Sequence, residues 1–552
     1  MISSISDLKK FISNEKIKVC SFDVFDTLLI RPSVFPNDFF TLVGRKSNVP
    51  DFYGNIRTVS EKIARLNKLY SDDEIKFTCI FNQMQDKFQF SPKEIDLLKN
   101  NELEAEYQYI ACRKAMKEVF LYAKQLGKIV ILATDIFYPR AFVERLLQKC
   151  GLVGYDKLYV SAEYNLTKNT GRLYQQIIKD FEIKGIKKEE ILHIGDNDFS
   201  DKIMAQRQGI HAESIKRVEV IANSDDTFKR LRRYSERFCD NTFLMGVSIN
   251  MLYDDPYSGK VKKSFLEDEK AVNITLLAPL VFSYAKWVLD NCRARGIKRF
   301  VFAGEEGHLL ERVMKSLLIY IYPKLEIMRM NFDSDLSALL NMKFPENVLV
   351  NIPDPKSTVK DFIATYLKSS DYDYYFDVFR KYGYYSYNMY IGDKKNYLPL
   401  LGELKVKFEG MKQILMEQNS KIVVPVLHGA AFYTNKYMKN VIAFKEITDF
   451  DVFTLFEMDT STVSGLNFLV QYGRLYGRDL EKIKNQLIRI FDLDLPNRDR
   501  KSASIATDIL NYTDEFCKTF GQDINLMNFN SYQYYEFIKI AFYEYPFFIM
   551  KQ

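Results

Sequence analysis

Strand-like and helix-like segments alternate along the first 222 residues. An apolar stretch at residues 18–30 predicts a buried strand followed by a loop. Further strands are predicted at "KIVILATD", "DKLYVSAE" and "EEILHIGD", and helices at "PRAFVERLLQKCG", "TGRLYQQIIKDF" and "FSDKIMAQRQG". The alternation predicts an α/β fold with a Rossmann-like, doubly wound parallel sheet. Ligands of such sheets lie beyond the carboxyl ends of the strands.

Helical spacing dominates residues 34–119. Apolar residues recur at helical intervals in "TVSEKIARLNKLY" and in "SPKEIDLLKNNELEAEYQYIACRKAMKEVFLYAKQLG". Ser91, Pro92 and Glu94 predict a helix start with a capping box, and Gly127 is expected to end the helical region. We therefore expect a helical insertion within the first α/β domain.

The rest of the chain predicts a connector and a second α/β domain. Residues 223–262 are polar and charged and predict a helical connector with a loop. Beyond them, strands are predicted at "KRFVFAG", "LEIMRMN", "NVLVNI", "KIVVPVL", "NVIAFKE" and "DVFTLFEM". The expected domains are 1–222 (core 15–33 and 120–222, helices 34–119), the connector 223–262, and 263–552.

Composition narrows the class of protein. A length of 552 residues predicts two or three domains, and 47% hydrophobic with 27% charged residues is typical of a soluble globular protein. A net charge of +6 without a basic block does not favour nucleic-acid binding. Seven cysteines without a CxxC pair favour reduced thiols in a cytoplasm, and four histidines do not favour structural zinc.

No segment strongly predicts membrane insertion or export. The N-terminus lacks the long apolar core of a secretory signal. The most apolar segment, residues 271–289, contains Asn273, Pro279 and Lys286, so we expect a buried helix there and no transmembrane span.

Polar residues follow the predicted strands at the edge where a ligand would bind. Each has a structural alternative, such as a turn aspartate, a solvated lysine or a charge in the first turn of a helix. His193 lies within an apolar strand, which favours a core role over catalysis. The strand-end residues are Asp23 with Thr27, Thr134 with Asp135, Lys168, and Asp196 with Asp201 in "HIGDNDFSD".

Together, and in this order, these residues resemble the four motifs of the haloacid dehalogenase (HAD) superfamily: an Asp nucleophile, a Ser/Thr, a Lys and a paired-Asp loop GDxxxxD. The resemblance covers roughly residues 15–220, and residues 34–119 occupy the position of that superfamily's helical cap. It implies phosphoryl transfer, with an aspartyl-phosphate formed on the nucleophile. The implied catalytic residues are Asp23, Thr134 and Lys168, and the implied Mg²⁺ ligands are Asp23, the Phe25 carbonyl, Asp196 and, in support, Asp201.

One position departs from the superfamily pattern. HAD phosphatases usually read DxDxT, and the second Asp protonates the leaving oxygen. Here that position is Phe25, and Asp26 lies one residue further on. On an extended strand, a one-residue shift turns a side chain to the opposite face, so Asp26 is not expected to act as the acid. General acid catalysis is typically worth about 10²–10⁴-fold, which leaves phosphatase activity the least secure expectation.

Three short sequence segments resemble a bacterial subgroup of predicted HAD hydrolases. "CSFDVFDTLLIRP", "YAKQLGKIVILATDIFYP" and "HIGDNDFSD" carry this resemblance. Proteins of the subgroup are encoded among genes for capsule, O-antigen and other surface polysaccharides, some are joined to glycosyltransferases, and Phe at the second-Asp position is usual. The implied substrate is a phosphorylated sugar or a related polysaccharide precursor, and the implied partners are other polysaccharide-assembly enzymes.

The second α/β region suggests a different activity. "KRFVFAGEEGHLLERVMKSL" predicts a strand, a glycine loop and a helix whose N-terminus could hold a phosphate, although Glu305 and Glu306 disfavour an anion there. The alternatives are a glycosyltransferase or nucleotide-sugar-binding protein with the HAD region as scaffold, a packing domain, or a non-enzymatic assembly component. Candidate nucleotide-sugar residues are Gly304, Gly307, His308 and His428.

Overall fold

The computed structural model groups the chain into two compact units. It describes residues 2–67, 74–235, 240–258, 264–303, 307–330, 356–365, 372–392, 400, 403, 422–426, 451–454, 466–467 and 500–529. The first unit comprises residues 1–279 and 511–548, and the second comprises 280–510 and 549–552. This division differs from the expected domain boundaries, because residues 223–279 and 511–548 group with the first region.

A five-stranded parallel sheet forms the core of the first unit, in the order β5-β4-β1-β6-β7. The α/β fold and the predicted strands are thereby confirmed. In two details the prediction was wrong: the strand in "DKLYVSAE" ends at Val160, and "HAES" forms an edge strand. The described strands of this unit are β1 (Val19–Phe22), β2 (Leu29–Ile30), β3 (Ala111–Cys112), β4 (Ile129–Thr134), β5 (Lys157–Val160), β6 (Ile191–Gly195) and β7 (His211–Ser214).

The register of the sheet brings three strand ends together. Phe22, the last residue of β1, pairs with Leu132 of β4 and with Ile194 of β6. Residues just beyond β1, β4 and β6 therefore lie side by side at the carboxyl edge, where parallel α/β sheets bind ligands.

Helices cover the core sheet close to where the hydrophobic pattern placed them. The strongly amphipathic helix Arg172–Glu182 buries Leu173, Ile177 and Phe181 against the sheet residues Val19 and Ile131. The core helices are α1 (Ile5–Ile12), α6 (Lys114–Gln125), α7 (Arg140–Lys149), α8 (Ser161–Tyr164), α9 (Arg172–Glu182) and α10 (Met204–Arg207), the last preceded by a π-helical turn, Asp198–Ile203.

Four described helices form the insertion between β2 and β3. They are α2 (Pro36–Lys46), α3 (Tyr53–Leu66), α4 (Phe77–Phe88) and α5 (Pro92–Tyr109). The predicted capping box at Ser91 and Glu94 is confirmed. Inside the insertion, Arg57 and Glu102 are fully buried and joined by hydrogen bonds of 2.6 and 2.8 Å.

The insertion is shorter than expected at its C-terminal end. Helix α6, which we expected to begin within the cap, packs on the core: the Phe22 and Phe120 rings are 6.0 Å apart, and Lys9 pairs with Glu118. Strands β2 and β3, which lead into and out of the insertion, pair antiparallel.

The predicted connector is a packed part of the first unit. Within it lie α12 (Asp226–Ser235) and α13 (Asn241–Leu252), and α11 (Val218–Ala222) comes just before it. A Cβ on Gly246 of α13 would lie 2.3 Å from the Pro32 carbonyl, and Asn250 donates a hydrogen bond to the Arg31 carbonyl at 3.1 Å. Helix α13 therefore packs against the chain that leads into the cap.

One helix within the described ranges, Glu269–Ala294, is long and apolar enough to cross a bilayer, and 94% of its most apolar window is buried inside the protein. It consists of α14 (Glu269–Val272), a π-helical stretch (Asn273–Leu277) and α15 (Ala278–Ala294). Its burial matches the expectation of a buried helix at this position.

The second unit also contains a five-stranded parallel sheet, in the order β12-β11-β10-β8-β9. Two predicted strands, "NVLVNI" and "NVIAFKE", lie outside the described residues. The described strands are β8 (Arg299–Ala303), β9 (Glu326–Met330), β10 (Ile422–Val426), β11 (Asp451–Thr454) and β12 (Leu466–Asn467). The described α-helices beyond α15 are α16 (His308–Ile321), Val359–Thr365, Tyr372–Lys381 and Arg500–Phe520, whose last ten residues belong to the first unit.

Candidate active site

Lys168 joins two of the predicted site carboxylates. Its Nζ lies 2.5 Å from Oδ1 of Asp23, just beyond β1, and 2.5 Å from Oδ1 of Asp201, in the turn after β6. All three side chains are buried, with exposed fractions of 8% or less. Residues far apart in the sequence thus form one charged cluster at the carboxyl edge of the sheet.

Asp23, Asp196 and Asp201 form an acidic group that suits a cation. Each offers a carboxylate oxygen, and these oxygens all lie within 4.8 Å of one another. Thr27 donates a hydrogen bond to Asp196 at 3.1 Å, and Arg217 donates another at 2.5 Å. Carboxylate oxygens are hard ligands, so this group fits Mg²⁺ better than a soft metal.

Asp201 is held on several sides. The backbone N–H of Asn197 donates to its Oδ2 at 2.9 Å, and Nε2 of His193 lies 3.3 Å from its Oδ1. His193 is fully buried, and its other ring nitrogen is 2.8 Å from the Ser21 hydroxyl, as expected of a core histidine. Because a Cβ on Gly195 would lie 2.4 Å from the Asp201 carboxyl carbon, glycine before Asp196 leaves room for this side chain.

The charges and burial in the cluster shift the pKa values of Asp23 and Asp201 in opposite directions. Burial raises the pKa of Asp23 well above its usual value, and repulsion by Asp201 and Asp196 adds to the rise, although Lys168 opposes it. Burial also acts to raise the pKa of Asp201, but Lys168 and His193 outweigh burial and lower it. Burial acts to lower the pKa of Lys168, and Asp201 and Asp23 raise it overall. The raised pKa of Lys168 favours its charged form, and the pKa of Asp23 is raised even with this ammonium beside it.

Asp135 holds the loop that carries Lys168. Its carboxylate accepts hydrogen bonds from the backbone N–H of Lys168 at 2.8 and 2.9 Å and of Asn169 at 3.2 Å. Burial raises the pKa of Asp135 to about 6, while these bonds and the Lys168 charge act to lower it. Its neighbour Thr134 ends β4 and is also buried at the site.

Asp26 faces the site, contrary to expectation. The prediction assumed an extended strand, but the chain turns here: Asp26 has φ of +59°, and its N–H donates to the Leu29 carbonyl. Its carboxylate lies 3.8 Å from Arg217, and it lines the same cavity as Asp23. The left-handed backbone conformation removes the alternation on which the prediction rested.

Phe25 lies at the position of the usual second Asp. The Arg31 guanidinium lies 4.8 Å from the centre of its ring, and the Tyr138 ring is 6.3 Å away. This aromatic side chain cannot donate a proton to a leaving group. The Phe25 carbonyl remains a predicted metal ligand.

A cavity of about 520 Å³ opens above the cluster, between the sheet edge and the helical insertion. The insertion contributes Phe39, Phe40, Glu61, Arg65 and Glu106, and the predicted connector contributes Ile249. Four further wall residues were missed by sequence reasoning, because long-range packing alone brings them here: Arg31, Arg217, Glu219 and Tyr138.

The candidate nucleotide-sugar residues are only partly described. Gly307 has φ of +71° and caps helix α16, which begins at His308. Gly304 and His428 lie outside the described residues. A nucleotide-sugar site in the second unit stays a prediction.

Comparison with known proteins gives one family. Residues 17–209 match the family described as "Hydrolase: haloacid dehalogenase-like hydrolase", and this match covers less than half of the chain. No curated protein matches the chain.

Several solved structures are similar to part of the chain. A HAD phosphatase from Thermococcus onnurineus is 20% identical, with a TM-score of 0.28, and covers 36% of this chain and 87% of its own. A dehalogenase is 14% identical, with a TM-score of 0.28 and coverage of 36% and 85%. A haloacid dehalogenase-like family hydrolase from Xanthomonas campestris is 14% identical, with a TM-score of 0.28 and coverage of 37% and 83%.

Proposed function

From the haloacid dehalogenase-like hydrolase region at residues 17–209, we propose that this protein is a Mg²⁺-dependent hydrolase of phosphate monoesters. The observation that carries the proposal is the meeting of Asp23, Asp196 and Asp201 within 4.8 Å, with Lys168 between two of them. This arrangement places a nucleophile, a cation and a set of hard oxygen ligands in one cavity, as phosphoryl transfer requires.

Asp23 is the proposed nucleophile. Its carboxylate attacks phosphorus, the bond to the leaving oxygen breaks, and an aspartyl-phosphate forms. The leaving oxygen takes up a proton, for which Asp26 in the same cavity wall is the proposed donor. Water then attacks phosphorus, which releases inorganic phosphate and regenerates Asp23. Thr134 and Lys168 hold the phosphoryl oxygens, and Asp135 fixes the Lys168 loop by accepting hydrogen bonds from the backbone N–H groups of Lys168 and Asn169.

The metal role falls to the acidic group. Asp23, Asp196 and the Phe25 carbonyl would hold Mg²⁺, with Asp201 in support. Bound there, the ion would neutralise charge on the phosphoryl group. Its positive charge would also act against the rise in the pKa of Asp23 that burial causes.

The proposed substrate is a phosphorylated sugar or a related precursor of a bacterial surface polysaccharide, handled in the cytoplasm. The resemblance of "CSFDVFDTLLIRP" and "HIGDNDFSD" to proteins of such gene clusters supports this. A cavity of about 520 Å³ is also within the range of small-molecule sites.

The test is Mg²⁺-dependent phosphate release from a panel of sugar phosphates and p-nitrophenyl phosphate. Asp23→Asn should abolish release from every substrate of the wild type. Asp86→Asn is the matched control, since Asp86 is exposed on α4 outside the cavity. Turnover by Asp23→Asn at the wild-type rate would rule out the proposed nucleophile.

A further inference from the structure

The basic side chains of the described cavity wall are already paired with carboxylates. Arg31 is one example: its Nε lies 2.8 and 3.1 Å from the two carboxylate oxygens of Glu106. Its guanidinium also lies 4.8 Å from the centre of the Phe25 ring. Both its charge and its flat face are therefore engaged.

Arg65, on the cap side of the cavity, is engaged in the same way. It donates to Glu61 at 3.0 Å and to Glu74 at 2.9 Å. Glu74 is buried and accepts a longer hydrogen bond, of 3.3 Å, from the core residue Ser161. A ligand anion would have to compete with two carboxylates for this guanidinium.

Arg217 is the third arginine among the described residues of the cavity wall, and it is also paired. It lies 2.5 Å from Asp196 and 3.8 Å from Asp26. Lys168 is itself shared between Asp23 and Asp201. Among the described residues that line the cavity, every lysine and arginine is therefore paired with a carboxylate, and none is left to bind a negatively charged leaving group.

One acceptor in this wall lacks a donor. Glu219 lines the cavity, and its Oε2 is shielded from solvent with no hydrogen-bond partner among the described residues. An unsatisfied buried acceptor is costly, so a ligand that donates a hydrogen bond to it gains free energy. A ligand that places a second negative charge there is repelled.

We propose that the leaving group of the substrate is an uncharged polyol whose hydroxyls donate hydrogen bonds to this wall, and that Glu219 is a specificity-determining residue. Phosphate monoesters that carry a second negative charge on the leaving group are rejected. The inference rests on the proposed function: Lys168, which would hold the phosphoryl group, and Glu219 line the same cavity.

Two ligand pairs test the charge of the leaving group at nearly constant size. They are glycerol 3-phosphate against 3-phosphoglycerate, and glucose 6-phosphate against 6-phosphogluconate. Each pair is titrated calorimetrically into the full-length Asp23→Asn protein with Mg²⁺, which separates binding from turnover. The kcat/KM ratios of the wild type provide a second measurement that does not depend on the folding of that variant.

In each pair, the ligand with the uncharged leaving group should bind at least about tenfold more tightly, because its partner meets one extra charge repulsion at an effective dielectric near 20. Glu219→Gln removes that charge and adds a donor for a carboxylate, so the ratio should fall at least about threefold. Glu189→Gln is the matched control, because Glu189 is exposed just before β6, at the opposite end of the strand from the cavity. This substitution should leave the affinity ratio of each ligand pair unchanged.

The inference is overturned if the ligand with the charged leaving group binds as well as its partner, or if none of these ligands binds. It is also overturned if Glu219→Gln leaves the ratio of the two affinities unchanged. Phosphate release from p-nitrophenyl phosphate decides the proposed function separately. An active enzyme that prefers 3-phosphoglycerate would keep the function and reject the polyol.

Discussion

Lys168→Met is the substitution whose outcome follows most directly from the structure. Methionine keeps the length of the side chain and removes its charge. The wild-type ammonium is 3% exposed and lies 2.5 Å from both Asp23 and Asp201. In the variant, two buried carboxylates lose their counter-ion while Asp196 remains close by.

The expected cost is that of breaking a buried ion pair from one side, about 3–5 kcal/mol in the free energy of unfolding without metal. For a domain of this size, 1 kcal/mol corresponds to roughly 2 °C, so the melting temperature should fall by about 6–10 °C. If Asp23, whose pKa is already raised, takes up a proton in the variant, the loss of stability should lie toward the lower end of the about 3–5 kcal/mol range.

The same change should strengthen metal binding while abolishing catalysis. In the wild type, a cation at the acidic group competes with Lys168 for oxygens of Asp23 and Asp201. Without Lys168, Mg²⁺ affinity should rise at least about tenfold, since a nearby positive charge is gone. Phosphate release should nevertheless fall at least about 10²-fold, because the phosphoryl group loses its own cation.

Thermal unfolding with and without Mg²⁺, calorimetric Mg²⁺ titration and phosphate release measure the three effects. Lys229→Met is the control: Lys229 is 46% exposed and pairs with the exposed Asp226 at 2.8 Å, so it should change stability by no more than about 1 kcal/mol. A Lys168→Met protein with wild-type melting temperature and wild-type Mg²⁺ affinity would refute the electrostatic reasoning.

Three further predictions concern single residues around the cluster. Gly195→Ala places a Cβ 2.4 Å from the Asp201 carboxyl carbon, so it should lower stability by about 1–3 kcal/mol and weaken Mg²⁺ binding; unchanged denaturant unfolding would contradict the crowding expected at this position. Asp26→Asn should slow hydrolysis of an alkyl phosphate by at least about tenfold while sparing p-nitrophenyl phosphate, whose leaving group needs no proton; equal effects on both would exclude proton donation by Asp26. Asp135 has a native pKa of about 6 against a usual value of 3.8, so the native state holds this proton more tightly, and wild-type stability relative to Asp135→Asn should decline between pH 4 and 6 by up to about 3 kcal/mol; parallel pH profiles would contradict this.

Sequence patterns predicted the elements that carry local signals. Continuous apolar runs located β1, β4 and β6, and a capping box located the start of α5. The order of Asp23, Thr134 and Lys168 along these elements was enough to predict a shared edge, because parallel strands all end on the same side. Strand β7 was missed because "HAES" has no apolar run, and an edge strand needs none.

Features that depend on the turn and on long-range packing could not be predicted. The orientation of Asp26 depends on its own left-handed backbone conformation. Because non-glycine residues rarely adopt this conformation, the sequence does not predict it. Arg217, Glu219 and Ile249 reach the cavity because residues 215–252 fold back on the sheet edge and the cap connection. The polar composition of the predicted connector gave no sign of this.

The paired strands β2 and β3 have a consequence for how such a protein can diversify. Leu29 and Ile30 lie opposite Cys112 and Ala111, so the chain leaves the core and returns to it at neighbouring points. An insertion whose two ends meet can be lengthened, shortened or exchanged by recombination without stretching β1 or β4. Asp23 and Lys168 are encoded outside the exchanged segment, whereas Glu61, Arg65 and Glu106 are encoded within it. The architecture would thus let the wall of the cavity change on its own while the proposed catalytic cluster is inherited unchanged.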